Sequence, residues 1–111
     1  MEDEEIIGRS LGAKSKNYEV YDFETGKSYK FVEGTRIQNP KVFAGKDGVK
    51  PLDTETAEGL AKQIGGKAEN WQHVKGIGYI DFDDEERKAE VHWFQEETQG
   101  KHKFKVKEWL D

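Results

Sequence analysis

Cysteine is missing from this chain altogether, so no disulfide framework holds it, and no thiolate can serve as nucleophile or metal ligand. Proline occurs only twice, at Pro40 and Pro51, and methionine only at Met1. No apolar run approaches the length that spans a bilayer, and the acidic start Met1-Glu2-Asp3-Glu4-Glu5 is the reverse of a basic secretory leader. These absences lead to the expectation of a cytoplasmic protein without a membrane partner.

Apolar residues are also scarce. They make up 33% of the chain against 37% charged, so the core has to draw on thirteen aromatic side chains. A length of 111 residues suits one core. The net charge of -5 argues against general coating of nucleic acid, but the charge is uneven. Met1 to Glu5 carries four acids, whereas Lys101 to Lys107 carries four lysines and no acid.

What is present is strand alternation, strongest between Trp71 and Leu110. Three runs, Val74–Phe82, Arg87–Gln95 and His102–Trp109, are separated by the turn signals Asp83-Asp84-Glu85-Glu86 and Glu96-Glu97-Thr98-Gln99-Gly100. This predicts an antiparallel meander. Ala89, Val91 and Trp93 share one face with Ile80, Phe82, Phe104 and Val106, while Tyr79, Glu90, His92, Lys103, Lys105 and Lys107 share the other. Both faces are satisfied when Val91 lies opposite Val106, Trp93 opposite Phe104 and His92 opposite Lys105, with Glu90 near Lys107. Gly76 and Gly78 leave room beside Val91 and Trp93.

Earlier in the chain, residues 1–17 read as a flexible segment, and residues 18–111 as a single domain. Tyr18–Phe23 and Ser28–Val32 flank a glycine turn and predict a hairpin. Glu33 to Asp53, punctuated by glycine and proline, predicts a long ordered loop anchored by Ile37, Val42 and Phe43. A helix follows, capped by Asp53 or Thr54 and ended by Gly65-Gly66, with Ala57, Leu60, Ala61 and Ile64 on one stripe. The expected fold is therefore α+β: an antiparallel sheet, formed by the C-terminal meander and the N-terminal hairpin, packed on one main helix that covers its apolar side.

The open face carries the candidate chemistry. His92 is a candidate general acid or base with Glu90 beside it, and His73 is a candidate second one. Arg36, Lys46, Lys75, Lys103, Lys105 and Lys107 are candidate phosphate contacts. Metal-free RNA cleavage needs such a set; a polar strand facing water would show the same residues. His102 reads as solvated, and the expected register places it on the face opposite His92. No metal site and no cofactor is expected, because no histidine pair has zinc-motif spacing and no glycine string forms a phosphate cradle. An exposed patch of Tyr79, Phe94 and Trp109 would point instead to protein binding.

Five strings, Ser10-Leu11-Gly12-Ala13-Lys14, Glu33-Gly34-Thr35-Arg36-Ile37-Gln38-Asn39, Val42-Phe43-Ala44-Gly45-Lys46, Trp71-Gln72-His73-Val74-Lys75-Gly76 and Arg87–Gln95, together resemble the C-terminal region of minor capsid, or head morphogenesis, proteins of Firmicutes phages and prophages. The resemblance covers nearly the whole chain. It implies an accessory domain of a phage head protein, excised or stand-alone, contacting nucleic acid or other head proteins and located in the cytoplasm or the virion. Such regions also resemble barnase/RelE-like ribonucleases, which act on RNA from an open sheet face; this implies a toxin-like, metal-independent ribonuclease as the alternative. A pure protein-interaction module is the third possibility.

Overall fold

The computed structural model describes residues 5–8 and 17–111. Among these residues six strands form: β1 (Glu19–Asp22), β2 (Lys27–Phe31), β3 (Gln38–Gly45), β4 (Gln72–Phe82), β5 (Glu85–Glu96) and β6 (Gly100–Trp109). One helix, α1 (Thr54–Gln63), and a single 3-10 turn, Ala68–Asn70, lie between β3 and β4.

The expected α+β sheet on a helix is overturned. β1, β2, β4, β5 and β6 close into a five-stranded barrel, because β2 pairs with β4 and β6 returns to β1. Every link in the ring is antiparallel except the last. That follows from counting: five strands that alternate in direction end with the first and fifth pointing the same way, so the closing pair, Val20↔Phe104 and Tyr21↔Lys105, is parallel. The apolar faces thus cover one another, and the barrel interior is the core.

Val20, Phe31, Ile80, Ala89, Val91 and Trp93 are all buried inside it, with Phe104 and Val106. Gly76 and Gly78 face inward; a Cβ on Gly76 would collide with Ile37 and crowd Trp93, and one on Gly78 would press on Phe31. Trp93 occupies the space so left and stacks on Phe104, ring centroids 5.1 Å apart. At one end Phe82 and Trp109 meet edge to face, with the Arg87 guanidinium 4.2 Å from the Trp109 ring and paired with Asp111.

Helix α1 does not cover this core. Asp53 caps it by accepting from the Thr56 amide, as its sequence position suggests. Its buried residues Ala57 and Leu60 lie outside the central cluster, and Ala57 lines a separate cleft with Leu52, Ala68 and Trp71. Ten residues with two buried side chains cannot replace a barrel wall.

The expected loop Glu33–Asp53 is also corrected, since it contains β3. β3 pairs along Gln72–Ile77 of β4, and β2 takes the same edge of β4 at Ile80–Asp81. Asn39 at positive φ, Pro40 and two register shifts hide the alternation of β3 in the sequence. Proline is tolerated because β3 is an edge strand among the described residues. Asp83 and Asp84, both at positive φ, form the two-residue turn between β4 and β5.

The flexible segment expected over residues 1–17 falls mostly outside the described residues, as does the Ser10–Lys14 string. Of the part described, Ile7 is buried in the core, donates from its amide to Thr35 and accepts from the Tyr18 amide.

Candidate functional site: the outer face of the barrel

Strand pairing places outward side chains from neighbouring strands in transverse rows. One row runs Lys41 (β3), Lys75 (β4), His92 (β5), Lys105 (β6), Tyr21 (β1), each directly paired with the next. At the usual strand spacing this row is roughly 19 Å long around the barrel. Among the described residues none of its three lysines has an ion-pair partner, whereas Lys30, Lys46, Arg87 and Lys101 are each held by a carboxylate. The adjacent row holds Ala44, His73, Phe94 and His102.

Between these rows lies a small aromatic cluster. Alternation along β3 after Lys41 and Val42 puts Phe43 on the outer face, against His73 at 4.4 Å and His92 at 5.1 Å between ring centroids, and the register shift that follows brings Ala44 opposite His73. His73 stacks on Phe94 at 4.2 Å, and Lys75 stands 5.9 Å above the Phe43 ring.

His92 and Glu90 are brought together as expected from the sequence: His92 Nε2 lies 3.1 Å from Glu90 Oε2. A carboxylate can only accept, so Nε2 carries the proton of that bond. The surroundings of both histidines are not those of an exposed catalytic pair. His92 is only 9% exposed beneath Phe43. Burial lowers its pKa, and Lys107 and Lys105 lower it further, against the opposing pull of Glu90. His73 is driven from 6.5 to about 4, first by burial and then by His92, Lys105 and Lys50, and its Nε2 is sealed without a hydrogen-bond partner.

A pH dependence of stability follows. Below about pH 6.5 the unfolded chain binds a proton at His73 that the folded chain does not bind until about pH 4. Stability should therefore fall as the pH drops from 6.5 towards 4. With screening on the part of His73 that faces solvent, the loss is about 1 to 2 kcal/mol relative to His73→Phe. Urea unfolding of both proteins at pH 7 and pH 4.5 checks this; equal losses would remove the assignment.

The other expected site residues divide. Lys75 and Lys105 flank His92, and exposed Lys107 is close enough to influence its charge. Lys103 is exposed at a register shift of β6, at positive φ. Arg36 sits instead at the Ile6 bridge, and Lys46 is bound to Glu97, so neither joins the His92 row. The shift at Lys103 also corrects the expected position of His102: its pairing with Phe94 puts it on the same face as His92. A second shift pairs Glu90 with Glu108 and not Lys107. His102 is half-buried, donating to the Gln99 carbonyl at 2.7 Å and meeting Trp71 edge-on. Phe94 lies against His73 and Trp109 against Phe82, so Tyr79, Phe94 and Trp109 form no common exposed patch.

Sequence reasoning missed Lys41, hidden in the apparent loop, and the exposed pair Tyr21 and Phe23. The alternation of β1 contained a signal for Tyr21, because an inward Val20 puts its neighbour Tyr21 on the outer face. Among the described residues no helix is long and apolar enough to cross a membrane. No family model, curated protein or solved structure matches the chain.

Proposed function

We propose that this chain is a non-catalytic accessory domain that contacts nucleic acid through the outward row of β3 to β6. Its resemblance to minor capsid proteins supports a place in phage or prophage head assembly, in the cytoplasm or the virion. The observation that carries the reading is that Lys41, Lys75 and Lys105, on one row, have no ion-pair partner among the described residues, in a chain whose net charge is -5. Cations left without carboxylates are free to neutralise phosphates, and binding of that kind weakens with salt as counterions are released.

The test is fluorescence anisotropy with a labelled oligonucleotide over increasing salt. Three phosphate contacts give a slope of log K against log salt of about -2 for a single strand. No binding at the lowest salt would overturn the reading.

The 3.1 Å contact between His92 and Glu90 is the observation that favours the ribonuclease alternative. Cleavage that survives a chelator and is lost in His92→Ala would establish it. The expected result is no cleavage, because His92 is covered by Phe43 and the Nε2 of His73 is sealed.

A further inference from the structure

We infer that the nucleic acid taken by this face is single-stranded, with one base seated at the parallel seam between β1 and β6. The inference rests on the nucleic-acid reading above and adds the class of strand.

Two features of the seam point there. The lysine row ends in an aromatic, since Tyr21 pairs with Lys105 across the seam. Two residues further along, Phe23 is 69% exposed and meets Tyr21 edge-on at 4.7 Å. Phe23 also lines a cleft of about 500 Å³ together with Lys105, Lys107, Trp109, Glu24 and Glu108. The cleft combines an open aromatic ring with both cations and carboxylates in its lining. Carboxylates repel phosphate and accept hydrogen bonds from base amino groups, so a base fits inside while its phosphates stay on Lys105 and Lys107.

A duplex satisfies neither feature. Its bases are stacked on one another and present only their edges, so Phe23 would have no ring face to cover. The row also bends around a five-stranded barrel, and a duplex is stiff over about 150 base pairs, whereas a single strand follows a curved path. A single strand crossing the row from Lys41 to Tyr21 would meet three lysines and then the Phe23 ring.

The experiment compares a labelled single-stranded decamer with the duplex of the same sequence, using the wild-type chain, Phe23→Ala and Phe23→Trp. The single strand should bind at least about tenfold tighter than the duplex, consistent with stacking of one base. Phe23→Ala should remove about tenfold of that affinity without changing the salt slope, and Phe23→Trp should retain it. If the duplex binds equally well, or if Phe23→Ala leaves single-strand affinity unchanged while salt-dependent binding persists, the strand class is wrong and the nucleic-acid reading stands. If neither form binds at low salt, the nucleic-acid reading fails and this inference fails with it.

Discussion

Trp93→Ala is expected to destabilise the chain by about 3 to 5 kcal/mol, the range for deleting a large buried aromatic side chain. Trp93 is fully buried, stacks on Phe104 and fills space that Gly76 leaves by having no side chain. The neighbouring strands are hydrogen-bonded in a ring and cannot collapse independently into the void, which places the cost in the upper part of that range. The Trp93 indole N–H also donates to Gln95 Oε1 at 2.8 Å, and its removal leaves that acceptor with one donor fewer. A domain of this size has about 5 to 15 kcal/mol in total, so the variant should be close to unfolding at room temperature. Lys105→Ala, on the outer face, should change stability by no more than about 0.5 kcal/mol. Urea denaturation of the two variants checks the assignment of faces; comparable losses would mean that Trp93 is not the centre of the core.

Reversing both lysines that flank His92, as Lys75→Glu with Lys105→Glu, is expected to weaken oligonucleotide binding by at least about a hundredfold at low salt, and to flatten the salt slope by roughly one to two. The two positions are paired with His92 from opposite sides, so the reversal turns the middle of the row from cationic to anionic. Both side chains point away from the barrel interior, and the fold should be retained. Lys30→Glu serves as the control, because Lys30 is already paired with Glu19 on the hairpin. An affinity of the double variant within about twofold of wild type would remove the row from the binding surface.

The strands of the meander were legible because each has one buried and one exposed face. Alternation in Ala89-Glu90-Val91-His92-Trp93 and in Phe104-Lys105-Val106 is enough to pair Val91 with Val106 and His92 with Lys105. The shifts at Lys103 and near Glu90 lie on either side of those anchors, and composition carries no mark of them. Closure of the barrel was not legible either. It depends on the pairing of Tyr21 with Lys105 and of Phe31 with Ile80, contacts between segments far apart in the chain that leave no local period. The helix misled for a simpler reason: a real cap and a real apolar stripe show that a helix forms, but not what it covers. In the site, the sequence brings His92, Glu90, Lys75 and Lys105 to one face. It does not show that Phe43 lies over the histidines, because Phe43 belongs to a strand, β3, that reads as loop. The consequence for the proposed function is large, since an open His92–Glu90 pair would favour the ribonuclease alternative, whereas His92 is covered by Phe43.

The most direct measurement is a map of backbone amide shifts while a single-stranded oligonucleotide is titrated into the isotope-labelled chain at low salt. The largest changes should fall on Lys41, Lys75, His92, Lys105, Tyr21 and Phe23, and should fade together as salt is raised. Changes centred instead on helix α1 or on the turn between β4 and β5, with the row unmoved, would contradict the assignment of the outer barrel face as the nucleic-acid site.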